Sequence, residues 1–356
     1  MASCGVSRQS ISLSAVVDNV GTECNRARVA NIAEVAAAAG VSTSTVSRAF
    51  VAPHSVRVDT RERVLTVARR LGYTPNRVAR SLAMGKTGSL GLIVPDVANP
   101  FFAMILKAVQ ARARRKEYTI FLVDTDEHPA DEYELAVALT AQVDGLLLVS
   151  SRMPDERVRE VIARTPTILV NRRIEGVPGV LVPSTDGMTQ AVQHLHALGH
   201  RTCCYVSASH TSWSNAQRVA AVRTAGATLG MELIELGPFE PRFDAGVRAA
   251  DLVPASGATA VIAHNDMVAL GTMARFAQRG IAVPDDVSVV GVDDTLLATA
   301  ADPPLTSVRI PLEEIGTRAV DLLLDALGGH RDAPPAVVEM PTALMVRAST
   351  GPVKVE

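Results

Sequence analysis

The sequence predicts an N-terminal all-α helix-turn-helix head and hinge helix, followed by an α/β body of two doubly wound parallel-sheet lobes. Three observations carry this. Residues 31–50, NIAEVAAAAGVSTSTVSRAF, read as two short helices around a glycine turn. From Ser89 onward, short β-branched runs alternate with helical stretches, the pattern of parallel sheets covered by helices. Charge is also uneven. Between Asn25 and Leu82 ten arginines face only Glu34, Asp59 and Glu62, a surplus of +7 in a chain of net charge −2, which leaves −9 for the remainder. A basic module on an acidic body is the electrostatic footprint of a phosphate-binding head.

Residues 1–28 show weak periodicity, several Ser and Asn and one short apolar run at Ala15–Val17, so a disordered extension is expected rather than a signal peptide. The head is expected over 29–75. Asn31 is a good N-cap with Glu34 three residues on, and Ile32, Val35, Ala36 and Ala39 recur at helical spacing. Gly40 can take the left-handed conformation that ends this helix, Val41 plugs the corner and Ser42 caps the next. The second helix starts at Thr43. It presents Thr43 and Ser44, then Arg48 a turn later, while Val46 and Ala49 point to the core. Hydroxyls and a guanidinium suit phosphates and base edges. A third helix is expected from Val56 to Leu71, burying Val64, Leu65, Ala68 and Leu71 and ended by Gly72, so that the small core forms around Val35, Val46 and Leu65. After Tyr73-Thr74-Pro75, residues 76–87 form a linker in which Arg77 to Ala83 make a two-turn hinge helix. So short a helix needs a partner to be ordered, and DNA can be that partner.

The body is expected over 88–350, with 351–356 as a tail. Its first series is LGLIV, a helix over Phe101–Lys116, TIFLVD, a helix over Asp131–Ala141, GLLLVS, a helix over Asp155–Ala163, and TILVN. The second is a helix over Gly187–Leu198, CCYVSA, Asn215–Leu229, ELIEL, Val247–Leu252, AVIAHND, Met267–Gln278 and VSVVGVDD. In such folds ligands sit beyond the carboxyl ends of strands. Residues just after each run are therefore candidates: Asp96, Asn99, Phe101 and Phe102; Asn171, Arg172 and Arg173; Asn265 and Asp266; Asp293 and Asp294. Carboxylates, amides and guanidinium groups beside an aromatic wall suit a polyhydroxylated sugar. The same residues could equally cap helices or fill the core.

Composition excludes several classes. No apolar run reaches the ~18 residues of a membrane span. Cys4, Cys24, Cys203 and Cys204 offer no C-x-x-C spacing and read as reduced cytoplasmic thiols, with Cys203 and Cys204 on opposite faces of a strand. In HLHALGH only His196 and His200 share a helix face, so no zinc is expected. The chain has no G-x-S-x-G, no Walker motif and no G-x-G-x-x-G after the first strand, so no catalysis and no cofactor are expected.

NIAEVAAAAGVSTSTVSRAF followed by TRERVLTVARRLGYTPNRVARSLAMGKTGSLGLIVPDVANPFF resembles the head, hinge and first strand of the lactose-repressor/galactose-repressor (LacI/GalR) family of bacterial transcription regulators, and the similarity runs from about Asn31 to Thr350. The resemblance implies base reading by Thr43, Ser44 and Arg48, and phosphate contacts from Asn31, Ser42, Thr45 and Ser47. It implies hinge contacts from Asn76, Ala79 and Leu82, with Leu82 wedged into the minor groove. In the body, a periplasmic-binding-protein-like pair of lobes, it implies effector contacts from Arg218, Asn265 and Asp293, walls from Phe101, Phe102 and Arg172, and a lid or stacking role for Trp213. Where the family commonly has Asn-Gly after the recognition helix, this chain has Val51-Ala52. Thr43 and Ser44 are too short for bidentate base contacts, so Arg48 is expected to carry much of the readout.

The expectation is a cytoplasmic, homodimeric repressor that binds a pseudo-palindromic operator under control of a sugar-like effector, without membrane attachment. No apolar heptad follows Pro352, so no tetramerising tail is expected. The alternative, a two-lobed sugar-binding transport protein, shares the body but needs an export signal and no basic head.

Overall fold

The computed structural model describes residues 30–73, 86–328 and 336–354. The chain divides into two compact units between Gly85 and Lys86. The extension and the hinge residues Asn76, Ala79 and Leu82 lie outside the described residues.

The head is three helices, α1 (Ile32–Ala39), α2 (Thr43–Val51) and α3 (Val58–Arg70). Asn31 Oδ1 accepts from the Ala33 and Glu34 amides at 2.9 and 3.0 Å, and Glu34 returns the bond to the Asn31 amide, closing a capping box. Gly40, at φ 66°, ends α1 in the left-handed conformation, and the chain turns at once into α2. Arg63 Nε donates to the Ala39 carbonyl at 3.1 Å, so α3 satisfies part of the open C-terminal end of α1. The core is Val35, Ala36, Ala39, Val46, Ala49, Val64, Val67 and Ala68. Val64 and Ala68 are buried as expected, Leu65 and Leu71 are only half-buried, and Val67 joins the core. A 3-10 turn at Pro53–Ser55 precedes α3, which starts at Val58 rather than Val56. Phe50 and Tyr73 close the open end edge to face, 5.9 Å between centroids.

In the body, lobe 1 runs β1 (Ser89–Val94), α4 (Pro100–Arg115), β2 (Thr119–Asp124), α5 (Pro129–Thr140), β3 (Gly145–Val149), α6 (Asp155–Ile162), β4 (Thr167–Val170) and β5 (Gly179–Leu181). Lobe 2 runs α7 (Thr185–Ala197), β6 (Thr202–Val206), α8 (Trp213–Leu229), β7 (Glu232–Leu236), α9 (Phe243–Ala250), α10 (Val253–Ser256), β8 (Ala260–Ala263), α11 (Asp266–Gln278), β9 (Ser288–Asp293), α12 (Leu296–Ala300) and β10 (Thr306–Arg309). The chain then returns: α13 (Leu312–Leu327) and β11 (Val337–Glu339) belong to lobe 1, β12 (Ala343–Met345) to lobe 2. The sheets are ordered β11-β5-β4-β3-β1-β2 and β12-β10-β9-β8-β6-β7. All strand pairs are parallel except the antiparallel β10 and β12.

Alternation explains the layers. Leu90, Leu92 and Val94 pack on the face covered by α4 and α13, while Ile93, Leu146 and Leu148 pack on the opposite face with α5 and α6. Cys203 and Cys204 likewise enter different cores, and both are free thiols. Gly316 lets α13 reach α4, since a Cβ there would lie 2.6 Å from Ala108 Cβ and 3.0 Å from the Ile105 carbonyl oxygen.

Three crossovers join the lobes, at 182–184, 310–311 and 340–342. They are buried at Val182, Ser184, Ile310, Met340 and Thr342, and one apolar cluster runs through them from sheet to sheet. The alternating series read from the sequence stops at Asp294, so the return of α13 to lobe 1 and the third crossing are additions. α9 begins at Phe243 rather than Val247, and α8 at Trp213.

Candidate functional site

The head offers one exposed polar face. Ser42 accepts from the Thr45 amide at 3.2 Å and caps α2, and its hydroxyl lies 2.8 and 2.9 Å from those of Ser44 and Thr45. Thr43, Ser44 and Arg48 are exposed, Thr45 and Ser47 half-exposed, and Val46 and Ala49 buried beneath them. Arg48 Nη2 lies 3.5 Å from Ser44 Oγ. The helix N-terminus, its hydroxyls and the exposed guanidinium of Arg48 make a surface for phosphate and base edges on a rigid support. Asn31, exposed at the start of α1, adds a second helix N-terminus.

In the body, the strand ends of both lobes converge on a cleft lined by Asn99, Phe101, Phe102, Glu127, Ser150, Arg152, Asn171, Ser214, Arg218, Pro241, His264, Asn265 and Asp293. The backbone is strained here. Ser150, Asn171 and Asp293, each just past or at the end of a strand, have φ of 48°, 57° and 116°, conformations costing of order 1–3 kcal/mol each that persist where the surroundings fix them.

Arg218, 2 % exposed, donates to Ser184 Oγ at 3.4 Å and to the His264 carbonyl at 2.5 Å, and stands 3.7 Å from Asp293 Oδ1. That separation is an ion pair without a direct hydrogen bond. Burial drives the Asp293 carboxyl well above the usual range, the nearby Asp266 adding to the effect and Arg218 opposing it. Among the described residues lining the cleft, two buried atoms have no hydrogen-bond partner: Asn171 Oδ1 from lobe 1 and His264 Nδ1 from lobe 2. Each such atom costs about 1–3 kcal/mol. His264 is held neutral by burial and by the cations Arg218 and Arg152.

The structure brings Phe101, Phe102, Arg218, Asn265 and Asp293 to this cleft. Phe101 and Phe102 meet edge to face, 5.0 Å apart, and also belong to the lobe core. Asn265 caps α11 through the Val268 amide at 2.9 Å and also donates to the Pro241 carbonyl. Asp293 caps no helix, since Thr295 precedes α12. Asp96 stands at the mouth, 3.4 Å from Arg242. Arg172 is not among the lining residues; it is bound to the Ser151 carbonyl and to Asp155. Trp213 is half-buried at the start of α8, between Ser212 and Ser214, and does not line the cleft. Arg152 and His264, absent from the sequence candidates, follow β3 and β8 and obey the same strand-end rule. Glu127 follows a turn after β2 and carried no signal in the sequence.

Among the described residues no cluster of three or more His, Cys, Asp or Glu could hold a metal, and no helix is long and apolar enough to cross a membrane.

A head built to meet nucleic acid and a two-lobed body with a polar buried cleft define a ligand-responsive transcription regulator. Two family models match: bacterial regulatory proteins, lacI family, over residues 31–76, and a periplasmic binding protein-like domain over residues 192–350. The transcriptional repressor CytR of Escherichia coli (strain K12) is 32% identical over 334 residues, 90% of this chain and 96% of its own. Catabolite control protein A of Priestia megaterium is 32% identical over 90% of this chain and 98% of its own. Among solved structures, the Lac repressor dimer bound to operator and the anti-inducer ONPF is similar at TM-score 0.81 and 26% identity, covering 90% and 99% of the two chains. The regulator CelR in complex with cellobiose is similar at TM-score 0.67 and 31% identity, with the same coverage. The chain belongs to the lacI family of bacterial regulatory proteins. It is a DNA-binding transcriptional repressor with an effector-binding body, and not an enzyme.

Proposed function

We propose that Arg48, Thr43 and Ser44 read operator bases, with Asn31, Ser42, Thr45 and Ser47 on phosphates, and that a sugar or sugar derivative in the cleft controls this binding. The observation that carries the effector reading is the facing pair Arg218 and Asp293, buried, 3.7 Å apart and without a direct hydrogen bond. A diol spans such a gap: one hydroxyl donates to the carboxylate while its neighbour accepts from the guanidinium. Asn171 Oδ1 and His264 Nδ1 offer two further positions for hydroxyls, and Phe101 and Phe102 a ring wall. Relatives are seen with cellobiose and with ribose, which supports the sugar class.

The protein acts as a cytoplasmic homodimer on a pseudo-palindromic site. Apolar surface favours a second copy: Leu296 is 80 % exposed beside a lobe 2 groove lined by Phe243, Leu270, Met273 and Leu297, and the lobe 1 edge strand β2 exposes Phe121 and Leu122. Hinge contacts from Asn76, Ala79 and Leu82 complete the reading, with Asp96, Arg172 and Trp213 as outer members of the effector site. An effector that prefers one lobe arrangement shifts the fraction of protein competent for DNA.

Selection of bound duplexes from random sequence, followed by a sugar screen against the selected complex, tests both halves. The expected result is a two-fold-symmetric consensus whose complex responds to at least one sugar. Failure to retain any duplex at low ionic strength would remove the DNA reading.

A further inference from the structure

The guanidinium of Arg152 extends from the end of β3 between the lobes and is buried. On its own lobe it donates to Glu127 at 2.8 and 3.2 Å and to the Ser150 carbonyl at 3.0 Å; across the cleft it donates to Ser212 Oγ at 3.3 Å. Its backbone is pinned as well. Glu132, 3 % exposed, accepts from the Arg152 and Met153 amides at 2.8 and 3.2 Å. At the rim Arg242 of lobe 2 pairs with Asp126 and stands beside Asp96 of lobe 1. The enclosed part of the cleft amounts to about 20 Å³, room for a single water rather than a sugar ring, and a wider hollow of about 380 Å³ opens at its mouth beside Asp96 and Arg242.

We infer that Arg152 is a built-in pseudo-ligand: without effector, its guanidinium takes the place of a ligand group, ties lobe 1 to Ser212 of lobe 2, and must be displaced for an effector to bind. The inference rests on the effector reading of the cleft and adds its regulation. The clasp is reversible for a structural reason. Arg152 and Glu127 share a lobe, so their ion pair survives opening and only the Ser212 bond breaks. The rim ion pair of Arg242 with Asp126 is partly exposed and screened, and holds weakly. Closure on Arg152 also leaves Asn171 Oδ1 and His264 Nδ1 unpartnered, so a polyol that satisfies both outcompetes it. Apparent effector affinity is then lowered by the fraction of molecules clasped.

Trp213, the one tryptophan in the chain, adjoins Ser212 and reports on this contact. Emission maximum and acrylamide quenching of Trp213, with the small-angle scattering radius, are measured on the effector-free full chain for wild type, Arg152→Met and Glu127→Gln, each checked for folding by circular dichroism. Wild type is expected to be compact with a shielded Trp213. Arg152→Met shifts emission to the red, raises quenching and enlarges the radius; Glu127→Gln moves each in the same direction by less. Should Arg152→Met not fold, Glu127→Gln carries the comparison. Identical quenching and radius in wild type and the folded variants would overturn the clasp. No sugar enters this measurement, so its outcome is separate from the sugar screen: a sugar-responsive protein with unchanged closure refutes the clasp alone, and a Trp213 shift in a protein that answers to no sugar refutes the effector reading alone.

Discussion

The head and the cleft recognise by opposite means. On the head the base-reading candidates Thr43, Ser44 and Arg48 are exposed, sit within one helix, and present a solvent-facing guanidinium at Arg48. In the cleft they are buried, come from the ends of many strands, and hold their charges in facing pairs, Arg218 with Asp293 and Arg152 with Glu127. A polyanion supplies a strong field, so a surface of mobile cations suffices. A neutral polyol supplies none. Its hydroxyls must be met by donors and acceptors already stripped of water and fixed in place.

The sharpest break between the regions is Asp293→Ala. The charge-assisted hydrogen bond from a ligand hydroxyl, worth about 1.5–3 kcal/mol, disappears and Arg218 loses its buried partner, so the effector response of the selected operator complex is expected to be lost while operator affinity stays. A variant that answers at normal effector concentrations would take Asp293 out of the site.

Next in size is a pH effect confined to the body. Burial raises the Asp266 carboxyl to about 6, although it accepts from Ser307, the Thr295 amide and the Thr295 hydroxyl. The folded state therefore holds a proton that the unfolded state has released between about pH 4 and 6, and stability falls as pH rises through that window. An upward shift of this size is worth up to about 3 kcal/mol. Denaturant titrations at pH 4.5 and 7 should show a larger loss in wild type than in Asp266→Asn; equal losses would show that the site is not a proton reservoir.

Arg48→Ala is expected to weaken specific operator binding by about 1–3 kcal/mol and leave effector affinity alone. Unchanged affinity for the selected operator would count against Arg48 as the main reader. Salt sharpens the same contrast, because counterion release makes operator binding fall steeply between 50 and 200 mM salt (order-of-magnitude conditions) while effector binding should barely move. Smallest is Asn31→Ala, which opens the capping box of α1 for about 1 kcal/mol of head stability and should leave the body's melting transition unaltered.

Much of this was legible in the sequence where the signal is local. Asn31 with Glu34, Gly40 at the corner and Ser42 before Thr43 specify two capped helices by rules that reach over three or four residues, and all of them hold in the structure. The slips in the head were small: Pro53–Ser55 form their own turn so that α3 starts at Val58, and its core face takes Val67 while Leu65 and Leu71 stay half-buried. Strand ends pointed to Asn265 and Asp293, the family resemblance added Arg218, and both missed Arg152, His264 and Glu127.

By itself, then, the sequence determined the head, the alternating body and the uneven charge, because periodicity, caps and composition are properties of neighbouring residues. Tertiary structure alone decided that α13 returns to lobe 1, that three crossovers join the lobes, and that Arg152 meets Ser212 across the cleft, 60 positions along the chain. Such contacts depend on which strand ends the fold lays side by side. That order is settled by packing over the whole sheet, which no short window of residues contains.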